Sequence, residues 1–134
     1  MNQQNHNMQN IQDINELINK YPMFFKTLEE PELWPIKFGV ECGNGWYGIL
    51  DKLFQDILSL TETKKIRIPQ VHQIKEKFGT LRFYIDSADA EIFDLIEKAE
   101  EASEETCEAC GQPGKIIKKN GWLMVRCENC LNNK

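Results

Sequence analysis

The sequence lacks several features that mark common classes of protein. Its 134 residues include two histidines, His6 and His72, which leaves little for histidine-based metal or general-base catalysis. No run approaches the roughly 18 apolar residues of a membrane span, the first ten residues lack the charged and apolar regions of a signal peptide, and no internal repeat is visible. We therefore expect a cytoplasmic protein with no membrane partner, and enzymatic activity is disfavoured.

The apolar residues, 41% of the chain, suffice for one compact domain. Residues 1–9 are rich in Asn and Gln and predict a disordered tail. Helical spacing of apolar residues begins at Ile11, is strongest from Ile49 to Leu58 after Asn44 as a predicted N-cap, and recurs from Ile92 to Ala102 against an acidic face. We predict an α+β fold in residues 10–105, with helices packed on a small antiparallel sheet, followed by a zinc ribbon in residues 106–131.

Four of the five cysteines form two C-x2-C pairs separated by sixteen residues, namely Cys107, Cys110, Cys127 and Cys130. This spacing lets four thiolates converge on one tetrahedral ion, and Asn120-Gly121 between the pairs predicts a hairpin turn. The pattern predicts structural Zn²⁺, since four cysteines leave no coordination position for substrate. Two disulfides are the alternative, disfavoured in a reducing compartment. Cys42 has no partner at ligand spacing and is expected to be a free, buried thiol.

Positive charge is concentrated in one stretch of an acidic chain. The net charge is −5, yet residues 64–82 contain six cations against a single carboxylate, Glu76. A chain so acidic elsewhere is poorly suited to coating DNA without regard to sequence, which requires a broad basic face. A local anion-binding site remains compatible with this distribution.

Residues 71–86 predict a β-hairpin. A type II′ turn at Gly79-Thr80 would place Lys77 opposite Arg82, with Glu76 and Phe78 on the apolar face. Like charges in opposite positions cost stability unless a carboxylate or a bound anion lies between them. Either carboxylates of the acidic helix near residues 97–105 neutralise these cations, or the cations hold a phosphate-bearing ligand. The predicted ligand-binding residues are Lys75, Lys77, Arg82 and Tyr84, with Tyr84 or Trp46 available to stack on a base.

The segments GNGWYGIL, VHQIKEKFGTLRFY, TCEACGQPG and CENC resemble a family of small zinc-ribbon proteins encoded by bacteriophages and prophages. The resemblance spans residues 39–130, and KEKFGTLRFY and CEACGQPG are its most specific parts. The family has no assigned activity, so no catalytic residue carries over. The resemblance implies a phage accessory protein in the host cytosol, where such proteins often act against host defence, for example by sequestering nucleotide signals.

Three functions remain open. The first is a non-enzymatic binding protein that captures an anionic, nucleotide-like small molecule on the hairpin. The second is an adaptor whose zinc ribbon or acidic helix docks on a host protein or nucleic acid. The third, a phosphodiesterase or nuclease using Glu76, Asp86 or Glu41, is the weakest, because no carboxylate or histidine cluster is visible. An exposed ribbon edge could also pair with a second copy to give a homodimer.

Overall fold

The computed structural model describes residues 12–26 and 40–132, so the tail predicted over residues 1–9 lies outside the described part. The described helices are α1 (Glu16–Lys20), α2 (Tyr47–Lys64), α3 (Ala90–Ser103) and α4 (Glu128–Asn132), with 3-10 turns at Pro22–Phe24 and Asn44–Trp46. The strands are β1 (Val71–Lys77), β2 (Thr80–Ile85), β3 (Lys115–Lys119) and β4 (Trp122–Arg126), which pair as two antiparallel hairpins. The predicted α+β class is confirmed.

The core lies between the two long helices and one face of the β1–β2 hairpin. Apolar residues at helical spacing put Leu50, Phe54 and Ile57 of α2 on its buried side. The Phe54 ring is the centre of an aromatic cluster, 4.7 to 5.8 Å from four other ring centroids. Helix α3 packs against both α2 and β2. One face of the hairpin is therefore buried, and its opposite face points away from the core.

The β1–β2 hairpin forms where predicted, but its turn lies one residue earlier. Phe78 and Gly79 occupy the turn with φ angles of 54° and 89°, which is the type I′ pattern. Lys75 consequently pairs with Arg82, so the predicted pairing of Lys77 with Arg82 is wrong. Partners shift by two residues, and each strand side chain keeps its predicted face. Phe78 was predicted for the apolar face and instead lies 65% exposed in the turn.

Both outer edges of this hairpin are covered. Glu41 forms a parallel bridge with β1. On the other edge, the Leu81 N–H donates to Ser103 Oγ and the Phe83 N–H donates to Glu100 Oε2, each at 3.0 Å. Helix α3 thus supplies acceptors to backbone donors that would otherwise be unpaired in the core.

Two helix starts differ from the predictions. Helix α1 begins at Glu16, later than the apolar spacing suggests. Asn44 does not cap α2, because a 3-10 turn precedes that helix and the Asn44 Oδ1 atom accepts instead from the Ile14 N–H at 2.8 Å. The Asn44 side chain therefore joins the N-terminal segment to the start of α2.

Candidate metal centre and basic face

The four paired cysteines meet at one point, as their spacing predicts. The Sγ atoms of Cys107, Cys110, Cys127 and Cys130 all lie within 4.8 Å of one another. Tetrahedral coordination with Zn–S bonds of about 2.3 Å puts sulfurs about 3.8 Å apart, and the Cys110 and Cys127 sulfurs are 3.6 Å apart. That separation is far longer than a disulfide bond. The cluster can therefore hold one metal ion in four-sulfur coordination.

The local backbone favours a thiolate at Cys107. Burial pushes the pKa of Cys107 upward, but backbone N–H donors outweigh burial and lower the pKa to about 7. Burial and the neighbouring sulfur atoms raise the pKa of Cys130. A bound cation would offset this crowding of negative charge, because metal coordination deprotonates thiols.

The first cysteine pair is docked on the GNGW loop that starts α2. The Gly45 N–H donates to the Glu108 carbonyl at 2.7 Å, and the Gly43 N–H donates to Glu108 Oε2 at 2.8 Å. A Cβ atom at Gly45 would lie 2.2 Å from the Cys107 carbonyl oxygen. Only glycine permits so close an approach of two backbones. We call residues 107–112 the first knuckle, and its backbone rests directly on the loop that precedes α2.

Trp46 belongs to this contact and not to a ligand site. Its side chain is fully buried, and its Nε1–H donates to the Thr106 carbonyl at 2.9 Å. Buried tryptophans usually satisfy their N–H in this way. The prediction that Trp46 could stack on a base is therefore wrong.

The second cysteine pair follows the β3–β4 hairpin. Its turn lies at Asn120-Gly121, with φ angles of 54° and 84°, as the sequence predicts. Val125 of β4 is fully buried, and its carbonyl accepts from the Glu108 N–H at 3.0 Å. The hairpin is therefore attached to the first knuckle by backbone as well as by the cysteines.

The remaining predicted site residues share the outward face of the β1–β2 hairpin. Lys75 and Arg82 are direct cross-strand partners, and Lys77 lies opposite Thr80. Tyr84 follows Arg82 on the same face of β2, and its side chain is 42% exposed. We call Lys75, Lys77, Arg82 and Tyr84 the basic face. None of the ion pairs between described residues includes its three cations. The Lys77 ammonium lies instead 5.6 Å from the Phe78 ring centroid.

A carboxylate of the acidic helix interacts with this face electrostatically. Burial raises the pKa of Glu100, while the Phe83 N–H and the positive charge of Arg82 oppose that increase. The interaction predicted from the acidic helix therefore includes this half-buried group, which is already bonded to the backbone. Arg82 also donates from Nε to Thr80 Oγ1 at 3.4 Å.

Glu76 lies on the apolar side of the sheet, and the structure explains how it is accommodated. Its Oε2 atom accepts from the Gly79 N–H at 2.8 Å. The carboxylate is therefore turned back onto the hairpin turn, where it pairs a backbone donor. A structural role accounts for this residue.

Cys42 and the carboxylates considered for catalysis, Glu41, Glu76 and Asp86, do not belong to any group placed to share a metal ion. Burial, followed by the nearby charges of Glu108 and Glu76, raises the pKa of Cys42 to about 12, so its thiol stays protonated. Asp86 is bound by Arg67 at 3.1 Å. Within residues 12–26 and 40–132, the cysteine cluster is the one group of three or more His, Cys, Asp or Glu side chains placed to share a metal ion.

An open groove that the sequence did not predict adjoins the metal centre. Its volume is about 1180 Å³, and it lies between the start of α2 and the cysteines. Asn44, Tyr47 and Gln112 line it together with the Cys110 and Cys130 side chains. Cys127 also lines the groove. Because three of the four clustered cysteines line it, the groove belongs to the metal centre.

Comparison with protein-family models, with curated proteins and with solved structures gives no significant match to this chain. Among the described helices, none combines the length and the apolar character needed to cross a membrane. Any assignment of function therefore depends on the chemistry of the metal centre and the basic face.

Proposed function

We propose that this protein is a non-enzymatic binding protein that captures an anionic, nucleotide-like ligand on the basic face. The observation that carries the proposal is the direct pairing of Lys75 with Arg82, without an ion-pair partner among the described residues. Hydrogen-bonded cross-strand partners have Cα atoms about 5.5 Å apart. Like charges so close destabilise the hairpin, and a bound anion would reverse that cost.

The chemistry of these side chains suits a phosphate with an attached ring. The Arg82 guanidinium offers forked donors to phosphate oxygens, and the ammonium groups of Lys75 and Lys77 add point charges. Tyr84 supplies an exposed, rigid aromatic wall on which a base can stack. These groups bind charge and orient a ring, but they supply no general base for turnover.

We further propose that the resident metal is Zn²⁺ and that its role is structural. Four thiolates complete the coordination shell of zinc and leave no position for water or substrate. Zinc would fasten the β3–β4 hairpin to the first knuckle, and through it to the GNGW loop. The metal would supply folding free energy, because such sites do not form in the unfolded chain.

The resemblance to phage zinc-ribbon proteins suggests where such capture would matter. A protein that holds a nucleotide signal without degrading it would withhold the signal from host defence in the cytosol. This role requires binding without turnover.

Isothermal titration calorimetry with ADP and with pyrophosphate tests the proposal. Lys75→Gln and Arg82→Gln should each weaken binding about ten- to a hundredfold, because each removes a charge-assisted bond of about 1.5–3 kcal/mol. Lys98→Gln is the matched control, since Lys98 is exposed on the opposite, acidic helix. If Lys75→Gln and Arg82→Gln bind the ligands as tightly as Lys98→Gln does, the assignment of the ligand face is refuted. A change in the mass of ADP on incubation would refute the non-enzymatic role.

A further inference from the structure

The outward face of the β1–β2 hairpin consists of three successive cross-strand rows. Starting at the turn, these rows are Lys77 with Thr80, Lys75 with Arg82, and Gln73 with Tyr84. Rows that lie two residues apart along a strand are separated by about 7 Å. The end of the basic face that is farthest from the turn therefore holds an amide beside an aromatic ring.

Gln73 belongs to this outward face because of its neighbours in the sheet. The next residue, Ile74, is fully buried, and the cross-strand partner, Tyr84, is 42% exposed. The register shifts between Val71 and Gln73, and such bulges often lie next to functional sites, where they redirect a side chain. Within the described part of the chain, no hydrogen bond includes the half-buried Gln73 amide. Its donor and its acceptor are therefore available to a ligand.

The cations of the basic face lie on the turn side of Tyr84. The Arg82 side chain is directed toward the turn, since its Nε–H donates to Thr80 Oγ1, and Lys77 lies opposite Thr80 in that row. Lys75 occupies the middle row with Arg82. Phosphates bound by these cations would leave the row of Gln73 and Tyr84 to an uncharged part of the ligand.

We infer that Gln73 and Tyr84 form a subsite for adenine and that the ligand is a free adenine nucleotide whose phosphates point toward the turn, an inference that rests on the proposed function. A glutamine amide places a donor beside an acceptor, which matches the amino group and the N7 atom of adenine. Guanine is usually read by Arg or Lys, and the amino group of cytosine by Asp or Glu. The row of Gln73 and Tyr84 contains none of these. Because a ribose separates the base from the phosphates, the base lies on this row and the phosphates reach the two rows nearer the turn.

Calorimetry with ADP, GDP and pyrophosphate tests the base subsite. The wild type should bind ADP about 5- to 150-fold more tightly than GDP, which is the discrimination given by one good bidentate pair. Gln73→Ala should remove this preference by weakening ADP binding, and it should leave pyrophosphate binding unchanged. Gln73→Glu should instead favour GDP, because a carboxylate can accept from the N1–H and the amino group of guanine. Gln55→Ala is the matched control, since Gln55 is exposed on α2.

Two further variants test the stacking and the direction of the ligand. Tyr84→Ala should weaken ADP binding about 5- to 150-fold through loss of one base–aromatic stack, whereas Tyr84→Phe should keep most of the affinity. Lys77→Gln should weaken ADP binding about ten- to a hundredfold and leave AMP binding nearly unchanged, because the second phosphate alone reaches the row at the turn. Metal content and circular dichroism confirm that each variant folds.

The outcomes separate this inference from the proposed function. If ADP and pyrophosphate bind through Lys75 and Arg82 but the wild type does not prefer ADP to GDP, or Gln73→Ala keeps the preference, the inference fails and the proposed function stands. If neither ADP nor pyrophosphate binds, both fail. Equal losses of AMP and ADP binding in Lys77→Gln would overturn the direction of the ligand. A short oligoadenylate that binds more tightly than ADP would overturn the assignment of a free nucleotide.

Discussion

Replacing Gly45 with alanine tests whether the first knuckle is seated on the GNGW loop. The new Cβ atom would lie 2.2 Å from the Cys107 carbonyl oxygen and 2.6 Å from the Glu108 carbonyl group. Both neighbours are backbone, so one of the two segments must move. Overpacking costs about 1–3 kcal/mol, and loss of the bond from the Gly45 N–H to the Glu108 carbonyl adds about 0.5–1.5 kcal/mol.

We therefore expect Gly45→Ala to destabilise the metal-loaded protein by about 2–4 kcal/mol, which lowers the thermal midpoint by roughly 6–20 °C. Gly48→Ala is the matched control, because nothing lies within 4 Å of its added Cβ and the residue is helical. This control should gain up to about 0.5–1 kcal/mol from reduced freedom of the unfolded chain. Circular dichroism melts and metal competition with a chromogenic chelator measure both. If Gly45→Ala melts at the same temperature as the wild type and binds metal as tightly, the docking contact is absent.

Three further changes test other contacts. Cys110→Ser, or chelation of the wild type, should release the metal and lower the thermal midpoint, since the cysteines fasten β3–β4; an unchanged melt would contradict a structural metal. Glu100→Ala should cost about 1–3 kcal/mol by orphaning the Phe83 N–H. Glu100→Gln keeps an acceptor for this N–H. Because burial raises the pKa of Glu100, the wild type loses stability as the pH rises and the buried carboxyl must ionise. In urea unfolding, the stability of Glu100→Gln relative to the wild type should therefore increase as the pH rises through that pKa. Burial acts to raise the pKa of Asp86, but the bonds from Arg67 and from backbone N–H groups outweigh burial, so the pKa is lowered overall. The ionised carboxylate therefore stabilises the fold, and this stability is lost as the pH falls through the lowered pKa. Asp86→Asn should weaken the dependence of unfolding free energy on pH in the acid range.

Features fixed by local spacing were predicted well from the sequence. Two C-x2-C pairs leave few alternatives for their ligand geometry, and Asn120-Gly121 tolerates the positive φ of its turn. The buried side of α2 likewise follows from helical periodicity alone. In each case the residues that decide the structure are close together in the chain.

Features that depend on distant contacts or on an unfavourable backbone angle were predicted poorly. Trp46 was assigned to a ligand, yet its partner is the Thr106 carbonyl, sixty residues away. The position of the β1–β2 turn was predicted wrongly because Phe78 adopts a positive φ, which residues with a Cβ atom rarely do. The Glu76 carboxylate offsets this strain by accepting the Gly79 N–H, a bond that sequence patterns do not reveal.

The β3–β4 hairpin is held at two points, and this links the metal to the basic face. Near the cysteines, the Glu108 N–H donates to the Val125 carbonyl, and at the far end the backbone of Leu123 and Met124 lies against Gly79. A metal held by the four cysteines would secure only the first point directly. Two fixed points are needed to define the orientation of a short hairpin, so loss of the metal would let β4 move away from the β1–β2 turn. A metal that touches no ligand would then still influence the β1–β2 turn and, with it, the adjoining basic face.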